Sequence, residues 1–389
     1  MRRALWIIAV LGLLGGAVAF GQEGTDDFDS LFETPLKDIT EAQPAEGAKI
    51  DHTALFNVQD TLTFSGNFTA TGGIGLGYTE IRELSEPMGN VGGSFLAMSS
   101  MAFGLDARPD SDLRIHGGFS ISLEPSSGNY SWSSIAVDEL FCDYTLLGKA
   151  FIRFGKHTIT WGQGRLYTPG NLMDGSENGS AFRISFPTLL SGVSLVALAQ
   201  NGYFADPANP SVREFAYGAL ADAVFGNLRS SFGLRYQDAE GIRGLTALKM
   251  NILGTDVFCD AVGRYNAVEE VSATTLLGFF REWKKITAYG EWQYDRSEDS
   301  SAHAVGAAVA YNNIGESSVD FGAKWYHAFD PRSGAVAVGV SWDPFKFVKA
   351  TVMLPVVYGY PGKFDILDED MPLTQRVSLV LLAKISASF

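Results

Sequence analysis

The feature that most constrains this chain is an alternation of apolar and polar side chains, repeated in many segments from Thr61 onward. In one of them Val319, Phe321, Ala323 and Trp325 occupy every second position. Because successive side chains of a β-strand point to opposite faces, each segment has one apolar and one polar face. The segments run about 9 to 13 residues, the length that a tilted strand needs to cross a bilayer, whereas soluble strands usually have about five or six.

A soluble β-sandwich gives the same alternation, so the connections supply a second test. Long gaps lie at 79–92, 125–134, 162–180, 202–213 and 359–374, and short ones at Gly148-Lys149, Gly254-Thr255, Trp283-Lys284 and Pro344. Outer-membrane barrels pair long outer loops with tight periplasmic turns and have an even strand number. We therefore predict an all-β fold, a closed antiparallel transmembrane β-barrel of about 18 strands, with about 16 as the alternative count.

The N-terminus predicts export. Arg2 and Arg3 precede an apolar stretch, and Ala17-Val18-Ala19 matches a cleavage site, so residues 1–21 are predicted to be a signal peptide rather than a membrane anchor. Residues 22–60 form an acidic, aperiodic periplasmic tether, and residues 61–389 form the barrel. The net charge of −15 argues against nucleic-acid binding, which requires clustered Lys and Arg.

The last strand carries an unbroken apolar face that ends at the final residue. Its members are Val377, Leu379, Leu381, Ala383, Ile385, Ala387 and Phe389. A terminal Phe on this pattern resembles the insertion signal that the barrel-assembly machinery reads in outer-membrane proteins. The expected biogenesis partners are therefore this machinery and the secretion translocon.

A short motif lies near the middle of the predicted barrel. Arg153-Phe-Gly155-Lys156 is followed by Trp161-Gly-Gln-Gly164, then by Pro169 and Asn171-Leu172. Over about twenty residues it resembles porin-like barrels of 16–18 strands, including alginate-export-like and phosphate-selective-porin-like families. The resemblance implies a diffusion or solute-export channel in the cell outer membrane. We expect loop 162–180 to be a constriction element inside the pore; a plain exposed loop is the alternative.

Strand parity nominates charged residues for the lumen or its constriction. They are Arg114, Glu139, Asp143, Arg153, Arg235, Lys249, Asp260, Arg264, Glu291, Asp320 and Lys324. Opposed charges across a pore create a transverse field that orients polar solutes and tunes ion preference. Structural ion pairs are the alternative role for part of this set, and the mixture of signs predicts neither anion nor cation selectivity.

Catalytic motifs are missing from the sequence. It contains no G-x-S-x-G, H-E-x-x-H or C-x-x-C, and its five histidines show no metal-ligand spacing. His116 with Ser120 on one strand face is the single hint of a nucleophilic pair. We therefore expect no enzyme, no cofactor and no metal. Cys142 and Cys259 are expected to be free thiols, with a disulfide as the alternative.

Three functions fit these observations. The favoured one is a porin-type channel for passive diffusion of small hydrophilic solutes, with outer-membrane lipid as its surroundings and no nucleic-acid partner. The alternatives are a transporter for hydrophobic compounds with an N-terminal plug, and a surface-exposed structural or adhesin barrel. The solute and the oligomeric state stay open.

Overall fold

The structure, a computed structural model, describes residues 62–78, 92–126, 129–173, 179–200, 206, 208–209, 211–238, 240–266, 271–297, 300–330, 332–346, 348–359 and 376–388. Its strands are β1 (Leu62–Tyr78), β2 (Gly92–Asp110), β3 (Leu113–Ser126), β4 (Asn129–Trp132), β5 (Ala136–Leu146), β6 (Ala150–Lys156), β7 (Gly179–Pro187), β8 (Ser191–Gln200), β9 (Ala216–Phe225), β10 (Leu228–Gln237), β11 (Gly241–Ile252), β12 (Thr255–Tyr265), β13 (Ser272–Glu282), β14 (Ile286–Arg296), β15 (Ser301–Tyr311), β16 (Val319–Ala328), β17 (Ser333–Phe345), β18 (Val348–Gly359) and β19 (Arg376–Ser388). Short 3-10 helices lie at Val212–Glu214 and Ile314–Glu316. Among the described residues no helix is long and apolar enough to span a membrane.

The strands form one antiparallel sheet that closes on itself. Phe68 of β1 is in register with Met101 of β2 on one side and with Ala387 of β19 on the other. The short β4 pairs with the end of β3, which also pairs with β5, so β4 extends a hairpin and is not a wall strand. The wall has 18 strands, which confirms the predicted fold and the preferred strand count.

The two ends of the barrel differ in their connections. One end, called here the tight-turn end, has the connections 111–112, 147–149, 188–190, 226–227, 253–254, 283–285, 312–318 and 346–347. The other, the long-loop end, has the long connections 79–91, 157–178, 201–215 and 360–375. Because outer-membrane barrels carry their longer loops outside the cell, we assign the long-loop end to the outer surface.

The predicted connections at Pro344 and at 125–134 are wrong. Pro344 was predicted to be a turn, but it lies within β17, which continues to Phe345 through a bulge between Trp342 and Phe345. The predicted loop 125–134 contains β4, because Leu123 and Trp132 pair across an extended hairpin. A four-residue strand is too short to show an alternation.

The two faces of the wall have opposite polarity. On β10 the side chains of Phe232 and Leu234 are 55% and 54% exposed, whereas the side chain of the next residue, Arg235, is 1% exposed. The same arrangement recurs around the sheet: most of the exposed large apolar side chains lie on the outward face, and most of the charged side chains of the strands face inward. In water such a surface is unfavourable, so it is the surface that lipid covers. Cys142 and Cys259 are free thiols.

Candidate functional site: a loop folded into the barrel

Residues 157–173, called here the inner loop, follow β6 and fold back against the inward face of the wall. Ile159, Trp161, Leu172 and Met173 are buried among side chains that line the inward face of β7 to β12. Tyr167 is buried in a second cluster formed by β12 to β16. Because the inner loop covers inward-facing residues of many strands, it lies inside the barrel and occupies part of the lumen.

Glu291 of β14 holds the middle of the inner loop. Its carboxylate accepts hydrogen bonds from three consecutive backbone N–H groups, those of Arg165 at 2.6 Å and of Leu166 and Tyr167 at 2.9 Å each. The side chain is only 4% exposed. A buried carboxylate is stabilised by such charge-assisted bonds, and it satisfies three backbone N–H groups of the loop at once.

Asp260 of β12 holds the preceding turn. Its Oδ2 accepts the N–H groups of Gln163 at 2.7 Å and Gly164 at 3.2 Å, and the side chain is fully buried. Gly162 has a φ of +86°, and a Cβ there would lie 2.6 Å from Asp260 Oδ2. The glycines of the W-G-Q-G motif therefore let the backbone approach this carboxylate closely.

Side chains of the inner loop add further anchors. The Tyr167 hydroxyl donates to the carbonyl of Val305 at 2.8 Å, and burial, together with Glu291, raises the pKa of Tyr167. The Arg165 guanidinium lies 3.9 Å from the centre of the Phe280 ring. Where the loop begins, the Glu139 carboxylate accepts the N–H of Thr158 at 3.4 Å.

His157 is fully buried at the first position of the inner loop. Its Nδ1 lies 3.0 Å from the carbonyl of Gly155, and burial lowers the pKa of the imidazole. The ring is therefore neutral at physiological pH, and its Nδ1–H donates to that carbonyl. The neutral ring packs edge-on against Phe141, which joins the start of the loop to β5.

A cluster of charged residues lies on the inward face near the tight-turn end. Asp143 accepts from Arg153 through Nε at 2.6 Å and Nη2 at 2.9 Å, a bidentate pair, and lies 3.9 Å from Arg114. Arg183 faces Arg153 across the β6–β7 pair and bonds Ser185 and Ser194. The three arginines, Asp143 and Ser185 line a cavity of about 400 Å³ in which guanidinium groups outnumber carboxylates.

A second cluster lies at the long-loop end. Arg235, Arg243 and Arg264 are in register on three neighbouring strands. Glu240 accepts from Arg235 and Arg243 at 2.6 Å each. Burial raises the pKa of Glu240, but the hydrogen bond from Arg235 and the nearby positive charges outweigh it, so the net shift is downward.

The remaining predicted lumen residues are distributed along the wall. Lys249 forms an ion pair with Asp256 at 2.8 Å. Asp320 accepts the N–H of Asn313 at 2.9 Å near the tight-turn end, and Lys324 lies 4.9 Å from the centre of the Tyr326 ring. Parity therefore groups the nominated charges on one face, but the structure divides them into loop anchors, ion pairs and the two clusters.

Part of this arrangement was not predicted from the sequence. The inner loop spans 157–173, whereas the predicted element was 162–180: residues 174–178 lie outside the described residues, and 179–180 already belong to β7. The partners Asp106, Asp256 and Arg183 were also missed, although their strand parity matches that of the nominated residues. The sequence signal for the turn is the glycine at position 162, because its backbone adopts a positive φ that glycine favours.

The possible catalytic pair is separated. Ser120 donates to Asp138 at 2.9 Å, whereas His116 lies between Asp106 at 3.2 Å and Glu139 at 3.6 Å. Within the described residues no group of three or more His, Cys, Asp and Glu side chains is arranged to hold a metal. Ser120 and His116 therefore bind separate carboxylates and do not form a hydrogen-bonded pair.

The predicted assembly face follows β19. Val377, Leu379, Leu381, Ala383, Ile385 and Ala387 all lie in this strand, which pairs with β1 and β18. Ile385 is 53% exposed on the outward face. Phe389, like the predicted signal peptide and tether, lies outside the described residues.

Known structures share this architecture. OccK1 (OpdK) of Pseudomonas aeruginosa matches with a TM-score of 0.53 and 9% identity, covering 84% of this chain and 99% of that one. OccAB3 and OccAB4 of Acinetobacter baumannii match with TM-scores of 0.52 and 0.51 and identities of 6% and 7%, over 84% of this chain and 99% and 98% of theirs. No protein-family model and no curated protein sequence matches the chain. The chain has the fold of the outer-membrane porins, and its apolar outward face belongs in an outer membrane.

Proposed function

We propose that this barrel is a porin-type channel through which small hydrophilic solutes diffuse passively. The observation that carries the proposal is the inner loop, held by Glu291 and Asp260 inside a wall that presents charged side chains. A structural barrel needs no ordered segment that narrows a polar interior. A transporter for hydrophobic compounds would need an apolar path through the lumen. Here the apolar side chains on the inward face belong to the two hydrophobic clusters that pack against the inner loop, and the loop covers them.

The mechanism that we propose combines size exclusion with electrostatic filtering. The inner loop reduces the cross-section of the lumen near its middle, and the two charged clusters lie towards the two ends. A solute passing between them experiences guanidinium groups that are only partly neutralised by carboxylates. The field of these fixed charges on a passing solute is strong because the barrel wall and the surrounding lipid have a low dielectric constant.

Liposome swelling tests this proposal. Vesicles that contain the refolded full-length protein should swell in isotonic solutions of small sugars and amino acids, with rates that fall steeply as the solute grows. We expect Arg153→Gln and Arg183→Gln to change the rates for charged amino acids while leaving those for neutral sugars of equal size nearly unchanged. Equal swelling for all solutes, or none with correctly folded protein, would contradict the proposal.

Biogenesis is part of the same proposal. We propose that residues 1–21 direct export through the secretion translocon, that 22–60 remain as a periplasmic tether, and that the apolar face of β19 with Phe389 is read by the barrel-assembly machinery. The pairing of β19 with β1 supports the last point, because this contact joins the first and last strands and closes the barrel.

A further inference from the structure

The outward face of β14 to β18 separates by chemistry into two zones. Its central part is aliphatic, with Val336, Val338 and Val340 of β17 opposite Val356, Leu354 and Val352 of β18. At the long-loop end the same face carries a group of polar and aromatic side chains. Six of them are called here the rim patch: Tyr294, Arg296, His303, Trp325, His327 and Tyr358. On this face, within the described strands, every ionisable side chain apart from tyrosine is basic, and all of them lie in the rim patch.

The rim patch is ordered by contacts between its own members. The Trp325 Nε1–H donates to the Tyr358 hydroxyl at 2.8 Å, and the same hydroxyl lies 3.2 Å from His327 Nδ1. Tryptophan donates only, so the Tyr358 hydroxyl accepts the hydrogen bond from Trp325. This contact engages His327 through Nδ1, so Nε2 is the ring nitrogen that can meet a further group.

A second imidazole, that of His303, has a similar setting on the neighbouring strand β15. The ring of His303 stacks on that of Tyr294 with 4.7 Å between centroids, and the two residues are directly opposed in the β14–β15 ladder. Arg296 lies on the same face of β14, two residues beyond Tyr294, and is exposed. The strand spacing of about 4.8 Å sets His303 and His327 on adjacent strands within reach of one lipid head group.

The position of the rim patch along the barrel axis indicates which part of the membrane it contacts. It follows the aliphatic zone at the end that we assign to the outer surface, so it lies at the level of the outer-leaflet head groups. Two imidazoles, a guanidinium and no carboxylate complement an anion, and phosphate accepts several such donors at once. We propose that the rim patch binds the phosphate groups of an outer-leaflet lipid.

Native mass spectrometry of the full-length protein in phosphatidylcholine nanodiscs, with or without diphosphoryl lipid A, tests this proposal. The wild type should retain diphosphoryl lipid A more strongly than the monophosphoryl form. The variant Arg296→Gln/His303→Phe/His327→Phe should retain it about tenfold less, as expected for the loss of charge-assisted bonds. Arg213→Gln, in the 3-10 helix Val212–Glu214 at the same end, removes one positive charge elsewhere and should behave as wild type.

Three results would overturn the proposal. They are unchanged lipid retention in the triple variant, equal retention of lipids with one and two phosphates, and a change of oligomeric state in place of lipid loss, which would assign the patch to a second copy of the chain. Heat-modifiable electrophoretic mobility verifies that each variant is folded. Because the rim patch faces away from the lumen, channel conductance is scored separately and should match that of the wild type.

Discussion

Glu291→Gln is expected to release the inner loop and to raise the single-channel conductance, with slow current fluctuations that the wild type lacks. The amide keeps the shape of the carboxylate but points a donor at backbone N–H groups that are themselves donors. Losing these charge-assisted bonds should weaken the anchoring by about 3 kcal/mol, roughly a hundredfold in the ratio of anchored to released loop.

Limited trypsin digestion gives an independent reading of the same release. Arg165 lies against Phe280 in the anchored loop, so cleavage after it should be slow in the wild type and fast in Glu291→Gln. Asp320→Asn is the matched control, because it removes one inward-facing carboxylate near the tight-turn end, away from the inner loop. Equal conductance and equal cleavage in Glu291→Gln and wild type would show that Glu291 does not anchor the loop.

Phe103→Arg is expected to prevent stable insertion, whereas Ala102→Arg should be tolerated. The two neighbours lie on opposite faces of β2: Phe103 is outward and 43% exposed, and Ala102 is in register with Asn67 and Ser120 on the inward face. Arginine on the lipid face near the bilayer midplane costs about 2 to 4 kcal/mol, while in a polar lumen it stays hydrated.

Urea unfolding in lipid vesicles measures this difference directly. The free energy of unfolding should fall for Phe103→Arg and stay close to the wild-type value for Ala102→Arg. The paired design removes the effect of adding a long cationic side chain to β2. The reverse order, or equal losses, would mean that lipid does not cover the face that carries Phe103.

The architecture was predictable because one local rule is repeated along the chain. Alternation separates Phe321 and Trp325 from Asp320 and Lys324 on β16, and similar segments recur until the sheet closes. Such a rule fails where the segment is too short to show it. For this reason β4 was missed, and a bulge near Phe345 displaced the predicted turn.

The candidate site was only half predictable. Parity nominated Glu291 and Asp260 as inward-facing charges, but their partners are backbone N–H groups at sequence separations of 124 to 126 and 96 to 97 residues. Backbone amides carry no residue identity, so no sequence pattern marks them. The inner loop itself has no period, and burial of its Trp161 and Met173 follows from the inward face that they meet.

The sequence did mark where the loop would turn. Gly162 and Gly164 are the glycines of the W-G-Q-G motif, and both lie where the loop backbone approaches the Asp260 carboxylate of the barrel wall. The predicted boundaries were wrong because the loop starts to pack at His157, directly after β6. The charged clusters at the two ends depend on register between distant strands, which alternation alone does not provide.

Planar-bilayer recording on the refolded full-length protein most directly tests the claim that a polar lumen, narrowed but not sealed by the inner loop, crosses the membrane. We predict discrete, uniform conductance steps at both polarities. Correctly folded protein that inserts into the bilayer and passes no current would contradict the account.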